Sequence, residues 1–244
     1  GAWVELESAG HILDVAAYYS TETNEDELWV QIAYDYDPEG ENVYNLERMP
    51  YPDRSLTQYT DPSTETLAQQ GIIHMDSWIT GSMTNNTITG VEHLEGLSVG
   101  VIIDDAWMGE QVVRDGKIVI EDLGISGAEP IAGNFAVGRV YEGEIHTFEV
   151  ASGNARGTAL GTVRKWAKLH VRLLDSSLPI INGILPPDRT PDMQMNIPEI
   201  LRMGLQDVVI PAGSFGDGSI TIRQDRPYPT HIVGLFGQFQ VGND

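Results

Sequence analysis

Two apolar runs, Gln111-Val112-Val113-Arg114 and Lys117-Ile118-Val119-Ile120-Glu121, are separated only by Asp115-Gly116. A connection this short forces the flanking runs to reverse direction. Asp and Gly tolerate the positive φ that both central residues of a type I′ turn adopt. The spacing predicts an antiparallel β-hairpin, and a chain organised around such reversals belongs to the mainly β class.

Turn signals and strand-like runs recur along the rest of the chain. Within residues 1–48, four strands are expected: Trp3–Glu7, Ile12–Tyr19, Leu28–Tyr34 and Glu41–Arg48. Turns at Gly10-His11, Thr23–Glu27 and Asp37–Gly40 divide them. Residues 49–71 carry Pro50, Pro52 and Pro62 among Ser, Thr, Asp and Gln, and read as a linker or long loop. Beyond it, strands are expected at Ile73–Asp76, Val99–Ile103, Gly138–Gly143, Ile145–Val150, Ile220–Arg223 and His231–Phe236. Pro186, Pro187 and Pro191 mark an extended loop. One short helix is expected from Gly157 through Lys168, where Leu160, Val163 and Ala167 recur at helical spacing. Gly161 weakens that helix, and the alternation His170-Val171-Arg172-Leu173 offers loop followed by strand instead. The fold class is therefore mainly β. Residues 72–244 form an antiparallel β-sandwich or barrel-like domain with at most one short helix, after a β-rich segment at 1–48.

Composition narrows the function. The 244 residues include 26 Gly and 13 Pro with 41% hydrophobic residues, which fits a folded, turn-rich protein. Net charge is −22, from 36 acidic and 14 basic residues, and argues against a general nucleic-acid-binding surface. The absence of Cys excludes disulfides, thiolate metal sites and cysteine nucleophiles. No apolar stretch approaches the ~20 residues that span a bilayer, so no membrane insertion is expected. There is no signal-peptide apolar region either. The chain opens Gly1-Ala2-Trp3 without Met, so either a processed protein or an excerpt from a longer polypeptide is expected.

Catalytic patterns are weak. Asp104-Asp105 reads as a turn before it reads as a cation site, since neighbours on a strand point to opposite faces. His74 with Asp76, and His93 with Glu95, share a face if those segments are extended, as many chance pairs do. The other histidines, His11, His146, His170 and His231, form no helical metal-binding pair. Gly213–Gly218 is Gly-rich but precedes a strand rather than a helix, so a structural turn fits better than a phosphate cradle. Asn85-Asn86-Thr87 matches a glycosylation sequon by chance-level pattern alone. No catalytic residue, cofactor or metal is assigned. Arg156, Arg164, Lys165, Lys168 and Arg172 do stand out, placing five of the 14 basic residues in one short segment. Either they form a solvated face, or they make a basic contact for an acidic neighbouring subunit.

Several segments, in order, resemble the C-terminal part of the tail tubular or nozzle family of short-tailed bacteriophages. They are Trp3, Gly10–Val15, Glu27–Val30, Tyr44–Glu47, Ile88–Gly96, the Asp115-Gly116 hairpin, Gly157–Gly161, Leu173–Ser176 and Ile220–Pro229. The most specific are Thr89-Gly90-Val91-Glu92-His93-Leu94-Glu95-Gly96-Leu97-Ser98-Val99 and the run from Ile220 to Thr230. Where the family is more basic after the Gly157 motif, this chain has Thr162-Val163 before Arg164-Lys165. The resemblance implies a virion structural protein with no catalytic residues. It would sit in a homo-oligomeric, hexameric ring beside other tail proteins, with DNA passing through the channel without specific binding. It also implies that residues 1–48 end a propeller-like β region. Two other classes stay open. One is a carbohydrate- or receptor-binding tail module that uses Trp78, Trp107 and Tyr141. The other is a carboxylate-dependent hydrolase.

Overall fold

The computed structural model describes residues 8–21, 24–34, 43–49, 73–120, 132–149, 153–154, 157–158, 164–186, 201–208 and 218–241. These residues are mainly β, in several small antiparallel sheets without a helix of 7 or more residues. No sheet closes into a barrel or propeller among the described residues. The strand expected at Trp3–Glu7, the turn at Asp37–Gly40 and the linker beyond Met49 lie outside them. The described residues up to Tyr141 form one compact unit, and those from Glu142 onward a second. That division falls inside the 72–244 span read from the sequence as one domain.

The first unit opens with β1 (His11–Ser20), β2 (Glu25–Tyr34) and β3 (Val43–Met49), a three-stranded antiparallel meander. Alternation sets its faces. Val30, Ile32 and Tyr34 of β2 point inward and are buried. The opposite face carries Tyr18, Tyr44 and Leu46, all exposed.

A second group follows: β4 (Asp76–Met83), β5 (Thr87–Thr89), β6 (Ser98–Ile103), β7 (Ala106–Val112), β8 (Lys117–Val119) and β9 (Gly133–Arg139). Four of these make a sheet in the order β4-β9-β6-β7, and β5 pairs with β8. Ile88, Val91, Leu94, Val99, Val101, Val113, Ile118 and Val137 fill one core there. Burial of each such side chain contributes roughly 1.5–3 kcal/mol. Near-continuous burial of β6 explains its apolar run.

The Asp115-Gly116 turn forms as expected, with φ of 54° and 65°. Arg114 and Lys117 close it with mutual backbone bonds of 3.0 and 3.2 Å. The long hairpin does not follow. β7 pairs with β6 and β8 with β5, so the two runs separate beyond a single bridge. Asn85-Asn86 and Asp104-Asp105 make further two-residue reversals with positive φ throughout.

The second unit contains β10 (Gly143–His146), β11 (Gly153–Asn154), β12 (Gly157–Thr158), β13 (Arg164–Ser176), β14 (Ile180–Ile181), β15 (Arg202–Val208), β16 (Thr221–Gln224) and β17 (Ile232–Val241). Its largest sheet runs β15-β13-β17, and a smaller one runs β10-β16-β14. Leu169, Val171, Leu173, Leu178, Ile181, Ile220 and Ile222 form its core.

The helix expected from Gly157 through Lys168 is absent over its described part. Gly157-Thr158 is strand, and Arg164–Lys168 begins β13. Of the residues whose spacing suggested the helix, Leu160 and Val163 lie outside the described residues, and Ala167 falls at a β-bulge. Trp166 faces Phe239 and Lys168 faces Gln238, so Ala167 is one residue too many. The extra residue places inward-packing Trp166 and Leu169 three apart, as a helix would.

Candidate subunit-contact face

The segment rich in basic residues becomes the central strand of a half-covered sheet. On β13, Leu169, Val171 and Leu173 point into the core of the second unit, while Lys168, His170 and Arg172 alternate outward. Trp166 anchors the start of this strand, donating its indole N–H to the Gly218 carbonyl at 2.8 Å. Lys168 and Arg172 are exposed. Arg164 and Lys165 pair through the backbone with Val241 and Gln240. Arg156 lies outside the described residues. Thus the strand brings two of the five expected contact residues onto one described face, with His170 between them.

Neighbouring strands complete that face. His170 stands opposite Asp207 of β15 and Phe236 of β17, and Arg172 stands opposite Leu205 and Gly234. His170 Nδ1 lies 2.5 Å from Asp207 Oδ1. Leu205, Met203, Val233 and Phe236 are all at least half exposed. Lys168 and Arg172, with the His170–Asp207 pair between them, are therefore flanked on both sides by apolar side chains in contact with water. Such a surface suits a partner that carries carboxylates among apolar groups. β15 carries few strand signals in the sequence, with Gly204 inside it and Val208 as its one β-branched residue. Met203 and Leu205 face water while Arg202, Gly204 and Gln206 are partly covered.

The other candidate groups are held apart. Asp104 accepts the Asn134 N–H at 2.9 Å, with Asp104 and Asp105 in a left-handed two-residue turn, as the turn reading requires. His93 lies in a 3-10 turn (Glu92–Leu94) rather than an extended segment, so it does not share a face with Glu95. Its Nε2 is 3.1 Å from the Ser77 carbonyl oxygen, whereas Glu95 reaches Asp115 N at 3.0 Å and Gly116 N at 2.7 Å. His146 meets Thr221 Oγ1 and Glu144, and His231 meets the Leu174 carbonyl oxygen. No group of three His, Cys, Asp or Glu suited to a metal ion occurs among the described residues. Of the Gly213–Gly218 run, only Gly218 is described. Among the aromatics considered for sugar binding, Trp107 places its ring where a Cβ on Gly100 would stand. Trp78, Trp107 and Tyr141 are each partly buried.

The most specific run in the sequence has a structural job. Val91 and Leu94 are fully buried, with Gly90 and Gly96 at positive φ on either side. The Glu95 carboxylate then caps both N–H groups of the Asp115-Gly116 turn. Gly116 fits this arrangement because its φ is 65° and a Cβ there would come within 2.8 Å of Glu92 Cγ. No family model matches this chain, and no curated protein matches it either.

Proposed function

We propose that this chain is a virion structural protein of a phage tail. It forms part of a homo-oligomeric ring, nozzle-like or tubular, around the channel through which the genome leaves. The observation that carries this reading is the outer face of β15-β13-β17, where Lys168, His170 and Arg172 run between exposed Leu205 and Phe236. In a chain of net charge −22, like copies repel unless the contact region locally reverses the charge. A face that is at once basic and apolar meets that need. Used against a different, acidic surface of the next copy, it gives a head-to-tail contact, the kind that closes into rings. The resemblance of the Thr89–Val99 and Ile220–Thr230 runs to tail tubular proteins supplies the rest. On this reading the protein is no enzyme, and its acidity lets DNA slide past without binding.

Electron microscopy of the purified chain and of particles containing it tests the proposal. Rings are expected, and they should be lost on charge reversal by Lys168→Glu with Arg172→Glu while the circular dichroism spectrum is retained. Rings that survive the double reversal would remove this face from the assembly. A chain that stays monomeric at high concentration, and is missing from tail density, would defeat the ring reading altogether.

A further inference from the structure

The first unit contains a polar junction that the assembly reading does not use. It lies where β3 meets the start of β4, between the β1–β3 sheet and the β4-β9-β6-β7 sheet. Register is irregular between Asp76 and Ile79, and Ser77 sits there with φ of 49°, a left-handed conformation rare outside Gly. That irregularity turns the backbone N–H and the hydroxyl of Ser77 toward the same carboxylate. Ser77 N donates to Glu47 Oε2 at 3.0 Å, and Ser77 Oγ donates to Glu47 Oε1 at 2.5 Å. Tyr34 of β2 donates its phenol to Glu47 Oε1 at 2.7 Å, and Asn45 donates to Ser77 Oγ at 3.1 Å.

Asp76 occupies the other side of the junction. Its Oδ2 accepts from Ser8 Oγ at 2.8 Å and from Ala9 N at 2.5 Å, tying the approach to β1 onto β4. Its cross-strand neighbour on β9 is Arg139, whose guanidinium lies 3.7 Å over the Tyr34 ring. The groups that titrate or carry charge around Asp76 are therefore Tyr34 from β2, Glu47 from β3 and Arg139 from β9. His93, bonded to the Ser77 carbonyl oxygen, and His74 on the approach to β4 complete them.

We propose that this junction is a proton-operated clasp, in which a proton on Asp76 tightens the hold of the second sheet on β1–β3. The chemistry follows from two carboxylates of unequal provision. Glu47 receives four donors on its two oxygens, from Tyr34, Asn45 and the N–H and hydroxyl of Ser77. Asp76 receives two donors on one oxygen, is largely taken out of water, and feels the Glu47 charge. Burial accordingly raises the Asp76 carboxyl above the ordinary Asp value, with Glu47 adding to the rise and Ala9, Ser8 and Arg139 opposing it. Burial likewise raises the Tyr34 phenol above its ordinary value, so it remains a donor.

The sign is fixed by linkage. A carboxyl raised in the closed state binds its proton more tightly there than when exposed. The stabilisation from that proton is complete below the ordinary Asp value and is lost as pH rises through the raised one. This clasp tightens in mild acid, the reverse of a salt-bridged carboxylate.

Amide hydrogen exchange on the full chain, corrected for the intrinsic pH dependence of exchange, measures the opening of β1 and β2 directly. Their protection should rise as pH falls from about 7.5 toward the ordinary Asp value, and the gain should be complete only below that value. Asp76→Asn, which is neutral at every pH and keeps an acceptor for Ser8 and Ala9, should show the higher protection at neutral pH with a flat profile. Ser8→Ala removes one donor that favours the charged form and should move the midpoint to higher pH. An Asp76→Asn profile that follows the wild type, or that lies below it at neutral pH, would overturn the proposal. So would a Ser8→Ala midpoint that stays in place or falls.

Discussion

Two strands of the first unit make an instructive pair. β1 and β6 are both rich in apolar residues, yet β6 is buried from Val99 to Ile103 while β1 is exposed along nearly its whole length. β6 has a hydrogen-bonded neighbour on each side and a core cluster across its face. β1 stands at a sheet edge, and Ile12, Val15 and Tyr19 remain open even on the side where β2 buries Val30 and Ile32. Apolar composition thus selects strand conformation in both, but position in the sheet decides what the apolar groups contribute. In β6 they stabilise the fold. In β1 they leave an apolar strand at the edge of its sheet among the described residues, of the kind that invites pairing with another chain.

Substitutions can break or sharpen that contrast. The largest effect is expected at Leu94, fully buried beside β6: Leu94→Ala should cost about 2–5 kcal/mol in urea unfolding, as cavities in packed cores do. A loss below that range would mean that the 3-10 turn collapses into the space. Next comes Gly116→Ala, where positive φ and the approach of Glu92 should together cost about 1–2 kcal/mol. A stability equal to wild type would show that the turn relaxes to another type. Glu95→Ala deprives two turn amides of their acceptor but leaves them open to water, so about 0.5–1.5 kcal/mol is expected in the same unfolding assay. The smallest change belongs to β1. Val15→Lys should leave monomer stability within about 0.5 kcal/mol, as surface changes usually do, while light scattering shows less self-association. A large destabilisation there would place β1 among the core strands and erase the contrast.

How much of this was legible in the sequence depends on how local the cause is. The Asp115-Gly116 turn could be read because its two residues alone carry the needed conformations. β1, β2, β6, β16 and β17 could be read because period-2 or continuous apolar runs survive in them. β13 was blurred by one extra residue at Ala167, which shifts the alternation. β15 was invisible because it carries few strand signals, with Gly204 inside it and Val208 as its one β-branched residue. The contact face was half legible. Charge clustering pointed to Lys168 and Arg172, but Leu205 and Phe236 join them only through sheet pairing. The bonds of Glu95 to the turn, and of Asp76 to Ser8, span 20 and more residues, and no local pattern announces them.

The bond from Glu95 to the Asp115-Gly116 turn bears on the order of events during folding. It encloses only 20 residues, so the entropy of closing this loop is small, and both ends can meet before distant strands have found one another. Most of the residues that line the surrounding core lie on the same stretch of chain, from Met83 to Ile120. This stretch is therefore expected to serve as the folding nucleus, against which the later-arriving β9 and the weakly covered β1–β3 sheet condense.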